Sequence, residues 1–335
     1  MSLISNRSYY KPFEYPWAFE AHDKQLTMHW HPKEVSLRED TMDWVKLTPE
    51  EKNLLTQIFR FFTQADVDVA DGYTDKFIPI FGGHPEVKMM MMTFAAMEAI
   101  HIQAYSMLLD TIGMPETEYN AFQQFKEMKD KHDYLGTINI GKQLEWDNDH
   151  PVEAYSAEDI AKALAVYSAF TEGLQLFSSF AILLNFTRFG KMKGMGKIVQ
   201  WSIRDETHHV ESMIHLFRVF ISENKEIWTD EFKKELYDVA RKMVELEDNF
   251  IDLAFEQGGI QGLTKEEVKE YVRYIADRRL LQLGLKTNYG VKKNPLPWIE
   301  EMLNVPEHTN FFENRATNYG KAATTGVWPW EKIIS

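Results

Sequence analysis

Residues 98–101 read EAIH and residues 206–209 read ETHH, and this repeated pattern decides the fold. In each stretch a glutamate is followed three residues later by a histidine. Residues three apart share one face of an α-helix, so the carboxylate and the imidazole of each pair can bind the same metal ion. One such pair occurs often by chance, whereas two in one chain indicate a metal centre built from two helices. The pairs are Glu98 with His101 and Glu206 with His209.

Each pair is preceded along the chain by a helical run that carries one inward-facing carboxylate. Asp66 lies 32 residues before Glu98, and Glu172 lies 34 residues before Glu206. Both carboxylates occur within apolar residues at helical spacing, which indicates that they face the protein interior. The two halves of the pattern are therefore matched in composition and in spacing.

Glycine-containing breaks lie about midway between each carboxylate and its pair, at residues 82–83 and 190–196. If the helices fold back there, carboxylate and pair lie at the same level, about 25 Å from the turn at 1.5 Å per residue. Two such hairpins place four carboxylates and two histidines inside a four-helix bundle. We therefore predict an all-α, ferritin-like helical bundle with a central four-helix di-metal core. The predicted ligands are Asp66, Glu98, His101, Glu172, Glu206 and His209.

The ligand types restrict the metal. The chain has no cysteine, which excludes disulfide scaffolds, thiolate zinc sites and thiolate-bound iron–sulfur clusters. Oxygen and imidazole ligands favour iron or manganese over softer metals. Two divalent ions would neutralise four buried carboxylates, so we expect two metal ions per chain. We expect a di-iron centre, with dimanganese and mixed manganese–iron centres as alternatives because both metals accept these ligands.

Asp205 and His208 are also three residues apart and could form a competing pair. Glu206 and His209 align with a largely apolar helix face, whereas Asp205 and His208 align with a mostly polar one. Since buried ligands require the apolar face, we predict His209 as the ligand. His208 is then expected to face solvent or to be satisfied by an ordinary hydrogen bond.

Helix-start signals recur along most of the chain, while strand signals are sparse. Residues 48–51, TPEE, combine a hydroxyl N-cap, a proline in the first turn and a glutamate that completes a capping box. The helical spacing of apolar residues is weak at both ends of the chain. We predict an extended N-terminal arm over residues 1–45, a ferritin-like helical domain over residues 46–302, and a flexible C-terminal tail over residues 303–335 that docks on a partner subunit.

Composition excludes several classes of partner. The chain has 335 residues and a formal net charge of -14, which disfavours binding to nucleic acid or to anionic lipid. Its longest apolar run, residues 180–184, is far shorter than the roughly 20 residues that a membrane helix needs. The N-terminus lacks the apolar core of a secretory signal. We therefore expect no nucleic acid, no membrane and a cytoplasmic location.

Four longer motifs extend the pattern towards both ends of the chain: MHWHPKE at 28–34, RDETHH at 204–209, NPLPW at 294–298 and FFENR at 311–315. With these motifs and the predicted ligands, the chain resembles the small, radical-generating subunit of class I ribonucleotide reductases. The resemblance extends from about Trp30 to Tyr319. Tyr105 follows His101 by one helical turn, where that family has its radical tyrosine.

The resemblance implies a mechanism. The metal pair would react with an oxygen species and then take an electron and a proton from Tyr105, leaving a tyrosyl radical. The oxidising equivalent would leave through His101, Asp205 and Trp30, and would reach the large subunit through Tyr319. There it would start the reduction of ribonucleotides to deoxyribonucleotides. Tyr105, Trp30, Asp205 and Tyr319 are thus the expected catalytic residues.

The resemblance also implies partners. The large subunit of ribonucleotide reductase would supply the substrate-reducing thiols, and the small subunit would be a homodimer, with an activating flavoprotein as a further partner. A different ferritin-like di-metal oxidase, such as a ligand-binding oxidase or a ferroxidase, is the alternative function. It would share the six ligands but would not need Trp30, Asp205 and Tyr319. A helical scaffold with a vestigial site is a third hypothesis, and the intact ligands argue against it.

Overall fold

The computed structural model describes residues 2–138, 140 and 155–304, and within these residues the fold is entirely helical apart from one isolated bridge. The twelve α-helices of these residues are numbered in chain order. They are α1 Pro16–Thr27, α2 Arg38–Lys46, α3 Pro49–Asp71, α4 Ile78–Phe81, α5 Pro85–Ile112, α6 Lys126–Gly136, α7 Ala157–Leu164, α8 Leu176–Arg188, α9 Lys193–Glu223, α10 Asp230–Ala254, α11 Lys265–Gln282 and α12 Pro297–Asn304. The predicted all-α class is confirmed.

Among the described residues, a first compact unit ends at Pro297 and a second unit begins at Trp298. The first unit ends slightly before the predicted domain boundary at residue 302, because most of α12 belongs to the second unit. Of the predicted tail, residues 303 and 304 form the end of α12, whereas residues 305–335, which include Tyr319, lie outside the described residues. None of the helices in the described part of the chain is long and apolar enough to cross a membrane.

Four long helical stretches form the centre of the first unit. Helix α3 packs against α5, α5 packs against α9, and α8 packs against α9. Helices α3 and α4 are joined by a π-helical segment, Gly72–Phe77, and α7 and α8 by a second, Ala165–Gln175. Short π-helical segments inside longer helices occur frequently at functional sites. Here each one lies in a helical stretch that carries a predicted metal-binding carboxylate.

Local sequence explains how these helices begin and turn back. The Thr48 side chain accepts a hydrogen bond from the Glu51 amide, and the Glu51 carboxylate accepts one from the Thr48 amide, which completes the predicted capping box. Between α8 and α9 the chain reverses at Gly190, whose φ of 77° favours glycine. Beyond the turn, a Cβ atom on Gly196 would lie 2.0 Å from Thr187 Oγ1. Glycine therefore lets α8 and α9 approach closely where the sequence predicts the fold-back.

Residues 1–45 are not wholly extended, contrary to the prediction from sequence, because they contain α1 and α2. Neither helix has a side-chain N-cap hydrogen bond, so the sequence carried no strong start signal. Helix α1 instead packs along α5 and α9 and buries Ala18 and Ala21. Tertiary packing stabilises these two helices more than their own sequence does.

A buried carboxylate on α5 holds the N-terminal segment. Glu86 Oε1 accepts hydrogen bonds from the amides of Glu14 and Tyr15 at 2.8 and 3.0 Å, and Glu86 Oε2 pairs with Arg7 at 2.8 Å. Burial alone would raise the pKa of Glu86, but these hydrogen bonds and the Arg7 charge lower it. Glu86 therefore stays ionised and binds the chain just before α1.

Helix α9 begins on a carboxylate from another helix. Asp40 of α2 accepts hydrogen bonds from the amides of Gly194 and Met195 at 2.9 and 2.8 Å. These amides belong to the first turn of α9, where no intrahelical acceptor exists. Asp40 is fully buried and thus serves as a cap supplied from about 150 residues away.

A buried ion pair joins α6 to α10. Lys131 Nζ lies 2.6 Å from Glu247 Oε2, and both side chains are almost fully buried. The same ammonium lies 3.5 Å from the centre of the Phe61 ring and 4.4 Å from that of Phe250. Ser178 donates a hydrogen bond to the other oxygen of Glu247. The charges of Lys131 and Glu247 thus compensate each other, and the Ser178 hydroxyl and two aromatic rings provide further favourable contacts.

Candidate metal centre

The predicted ligands come from four helical stretches and meet in the interior of the bundle. Each of them is at most 2% exposed. Asp66 lies on α3, Glu98 and His101 on α5, Glu172 on the π-helical segment Ala165–Gln175, and Glu206 and His209 on α9.

Four of these side chains are arranged to share an ion. Glu98, Glu172, Glu206 and His209 each offer one ligand atom, and these four atoms lie within 4.8 Å of one another. His101 adjoins them, with Nδ1 3.3 Å from Glu98 Oε2 and 3.2 Å from Glu206 Oε1.

Asp66 joins the same cluster electrostatically. Burial raises the pKa of its carboxyl well above the usual value, and the charges of His101, Glu98 and Glu206 act on it as well. The structure therefore brings five of the six predicted residues into close contact, whereas Asp66 is buried and linked to them through its charge.

The chemistry of the cluster fits bound cations. His209 Nδ1 lies 3.0 Å from Glu98 Oε1, yet the two atoms are not aligned for a hydrogen bond. Buried polar atoms without partners are strongly disfavoured in proteins, and carboxylate oxygens with imidazole nitrogens are suitable ligands for divalent iron or manganese. The atoms in the cluster that lack any hydrogen-bond partner are Asp66 Oδ2, Glu98 Oε1, Glu206 Oε1 and Oε2, and His209 Nδ1 and Nε2.

Protonation partly compensates the cluster in the metal-free protein. Burial, followed by the charge of Glu206, raises the pKa of Glu172 well above its ordinary value. Burial alone would lower the pKa of His209, but Glu206 and Glu98 raise it to about 10. In the same way, Glu98 outweighs burial and raises the pKa of His101. These pKa shifts favour protonated side chains in the cluster, and cations that bind such groups must displace protons.

Tyr105 is buried near the cluster and packs on an aromatic side chain. Its side chain is 5% exposed, and its hydroxyl donates a long hydrogen bond of 3.4 Å to Ser202 Oγ. Its ring centre lies 4.8 Å from that of Phe62, which in turn lies 5.8 Å from Phe180. Burial and the nearby charge of Asp66 both raise the pKa of the Tyr105 hydroxyl. The phenol is therefore protonated and shielded from water.

Trp30, Asp205 and His101 form a continuous chain of contacts from the N-terminal segment to the cluster. Trp30 Nε1 donates to Asp205 Oδ2 at 2.7 Å, and His101 Nε2 lies 3.2 Å from the same oxygen. Gln25 donates to the other oxygen of Asp205 at 3.1 Å. Burial would raise the pKa of Asp205, but the hydrogen bonds and charge of His101 and the bond from Trp30 lower it. His101 thus presents Nδ1 to the cluster and Nε2 to an ionised carboxylate.

The two adjacent histidines of α9 have different environments. His209 lies inside the cluster, whereas His208 Nε2 lies 2.8 Å from the backbone oxygen of Ala21 on α1. The polar face of α9 at this level is covered by α1, so His208 is buried with a hydrogen-bond partner. Of the two roles that the sequence allowed for His208, the structure thus agrees with an ordinary hydrogen bond rather than exposure to solvent.

Sequence reasoning missed two residues at this site. Tyr73 donates a hydrogen bond of 2.7 Å to Glu172 Oε1, and Gln25 contacts Asp205. Tyr73 stands seven residues after Asp66, which is about two helical turns, so its position on the ligand face was a usable signal. No feature of the sequence around Gln25 indicates its contact, because Gln25 and Asp205 are 180 residues apart.

Comparison with protein-family models gives a match over residues 7–295 to the family described as ribonucleotide reductase, small chain. A probable ribonucleoside-diphosphate reductase small subunit of Invertebrate iridescent virus 3 is 47% identical over 98% of this chain and 89% of the relative. The ribonucleoside-diphosphate reductase subunit beta of Chlamydia pneumoniae is 31% identical over 95% of this chain and 91% of that protein.

Solved structures have the same fold. The ribonucleotide reductase R2 subunit from Clostridium botulinum is similar with a TM-score of 0.79 and 26% identity, over 90% of this chain and 94% of that one. The dimanganese(II) NrdF protein of Streptococcus sanguinis gives a TM-score of 0.69 at 20% identity, over 87% and 96% of the two chains.

Proposed function

This chain belongs to the family of ribonucleotide reductase small chains, and we propose that its six clustered carboxylates and histidines hold two metal ions next to a radical-storing Tyr105. Its function is that of the small subunit of a class I ribonucleoside-diphosphate reductase, an oxidoreductase that works with a large subunit. The family match favours this function over that of another ferritin-like di-metal oxidase.

The observation that carries the metal-binding proposal is the set of buried cluster atoms without hydrogen-bond partners. The residues that would hold the two ions are Asp66, Glu98, His101, Glu172, Glu206 and His209. When bound, the ions supply a centre that an oxygen species can oxidise and that can then accept an electron. We expect iron. A solved structure of similar fold is a dimanganese protein, which supports manganese as the alternative.

Tyr105 is the proposed electron donor to that centre. When its phenol loses an electron it also loses its proton, because burial disfavours a charged side chain. The Tyr105 hydroxyl donates to Ser202 Oγ, so we propose that the proton leaves through this hydrogen bond. Phe62 packs on the ring, and the side chain is only 5% exposed to water, which favours a long-lived radical.

Trp30, Asp205 and His101 are the proposed path by which the oxidising equivalent leaves. Asp205 links the indole N–H to the imidazole, so an electron that moves from Trp30 towards the cluster can be accompanied by a proton shift along these hydrogen bonds. Tyr319 is proposed to continue the path to the large subunit, on the family resemblance alone. A homodimer, an activating flavoprotein and a cytoplasmic location are proposed on the same basis.

Reconstitution of the metal-free protein tests this function. Separate samples receive ferrous iron, manganous ion or both in air, and metal content and electron paramagnetic resonance (EPR) spectra are recorded. We expect about two metals per chain and a tyrosyl signal, and reduction of a ribonucleoside diphosphate only after the large subunit is added. Failure to bind any metal would overturn the proposal.

A further inference from the structure

Tyr73 is a buried phenol in direct contact with the cluster, in addition to Tyr105. It lies in the π-helical segment Gly72–Phe77 and is 2% exposed. Its hydroxyl donates to Glu172 Oε1 at 2.7 Å, the usual length of an O–H···O hydrogen bond. Its ring stands nearly perpendicular to that of His209, with centres 6.1 Å apart. Tyr73 therefore contacts Glu172 and His209 on one side of the cluster.

The contact between Tyr73 and Glu172 joins two π-helical segments. Tyr73 belongs to Gly72–Phe77, and Glu172 belongs to Ala165–Gln175. The segments are in close contact, since a Cβ atom on Gly72 would lie 2.7 Å from Cδ1 of Tyr167. Glycine is thus required for the approach that brings the Tyr73 hydroxyl to the carboxylate.

A carboxylate can rotate and bind a metal through one or both oxygens. A hydrogen bond to one oxygen restricts that rotation, because turning the carboxylate would break the bond inside a buried site. Such hydrogen bonds orient metal-binding side chains, and their loss typically reduces metal affinity.

We propose that Tyr73 is a positioning residue that holds the Glu172 carboxylate in one orientation and thereby tunes ion binding on the Glu172–His209 side of the centre. This inference rests on the proposed metal-binding function. It assigns Tyr73 no part in electron transfer, which separates it from Tyr105.

The experiment compares Tyr73→Phe with Tyr167→Phe. The first variant removes only the hydroxyl that contacts Glu172. The second is a matched control, because Tyr167 is also buried, lies against Gly72 and packs on Phe77 with ring centres 5.7 Å apart. Metal-free proteins are titrated with Mn(II), and the EPR signals of free and bound Mn(II) are followed, so that no enzymatic activity is needed.

We expect Tyr73→Phe to weaken one of the two Mn(II) binding steps by about 10–100-fold and to change the spectrum of the bound pair. Tyr167→Phe should bind like the unaltered protein. Circular dichroism and thermal unfolding without metal check that both variants are folded. Because each substitution keeps its ring, we expect both to fold.

Two outcomes would overturn the inference alone. Tyr73→Phe could bind Mn(II) with the affinity and spectrum of the unaltered protein, or both variants could lose affinity equally, which would indicate a general packing effect. If the unaltered protein itself bound no Mn(II) and no iron, the proposed function would fail together with this inference. The titration therefore separates failure of the site from failure of the role given to Tyr73.

Discussion

Replacement of Asp205 by Asn removes a single negative charge between the cluster and Trp30 while preserving shape. Asp205 Oδ2 accepts from Trp30 at 2.7 Å and faces His101 Nε2 at 3.2 Å, whereas Oδ1 accepts from Gln25. The oxygen of an asparagine could keep the first two contacts. Its NH2 group could donate to Gln25 Oε1, which is buried without a partner, after rotation of the Gln25 amide. The substitution therefore tests the charge rather than the packing.

The expected magnitude follows from the bonds to Trp30 and His101, which keep their geometry and lose the negative charge. The ion pair of Oδ1 with Arg204 is lost as well, but at 3.5 Å and with Arg204 41% exposed it adds little. A hydrogen bond to a charged group contributes about 1.5–3 kcal/mol and a neutral one about 0.5–1.5 kcal/mol. Losing this difference at Trp30 and at His101 should destabilise the metal-free protein by about 2 kcal/mol. His101 also loses the carboxylate that fixes its ring, so metal affinity or turnover with the large subunit should fall by about 10–100-fold.

The assay combines Mn(II) titration, thermal unfolding and ribonucleotide reduction with the large subunit. Asp40→Asn is the matched control, because Asp40 is an equally buried carboxylate that contacts the same helix at its first turn. It should lower stability but leave metal affinity unchanged. If Asp205→Asn were destabilised but bound metal and supported turnover like the unaltered protein, Asp205 would have no role in orienting His101 or in the path from Trp30.

Four further predictions use single substitutions. Tyr105→Phe should keep both metals and lose the tyrosyl EPR signal, and an unchanged signal would place the radical on another residue. Glu206→Ala removes two cluster oxygens and should reduce the metal retained after desalting, so full occupancy would contradict its role as a ligand. Lys131→Met leaves Glu247 buried without its partner and should lower the free energy of unfolding by about 3–5 kcal/mol in denaturant titrations. Glu86→Gln should destabilise the protein by about 2 kcal/mol at pH 7. The pKa of Glu86 is lower in the folded state than in the unfolded state. The stability that ionised Glu86 contributes is therefore complete above the unfolded-state pKa and is lost as the pH falls through the folded-state pKa. The unfolding temperatures of the unaltered protein and of Glu86→Gln should therefore converge in acid. A difference that stays constant with pH would show that the charge of Glu86 is not the cause of the destabilisation.

Much of the cluster could be predicted from sequence because its information is local to each helix. Glu98 and His101 must share a face whatever surrounds them, since a spacing of three residues sets their angle around the helix axis. The same argument separates His209 from His208, and the structure places only His209 among the ligand atoms. The fold-back at Gly190 could also be predicted, because a glycine after a helical run commonly ends the helix. In the structure, Gly190 has the positive φ that is typical of such a helix end.

The N-terminal region shows where this reasoning fails. Helix α1 lacks a capping side chain and is stabilised by α5 and α9, so its formation depends on a surface that other parts of the chain provide. Glu86 and Asp40 act in the same way, because each satisfies amides of a segment far away in sequence. The residue pattern of a single helix cannot reveal a hydrogen-bond partner that comes from a distant segment of the chain.

The sequence by itself thus predicted the helical class and the six proposed ligands, and the family resemblance supplied the proposed roles of Trp30, Asp205 and Tyr105. Only the tertiary structure decided that Tyr73 reaches Glu172 and that Gln25 reaches Asp205. The physical reason is that helical periodicity fixes directions around one axis, whereas contacts between helices depend on their separation and relative rotation, which arise from packing of the whole core.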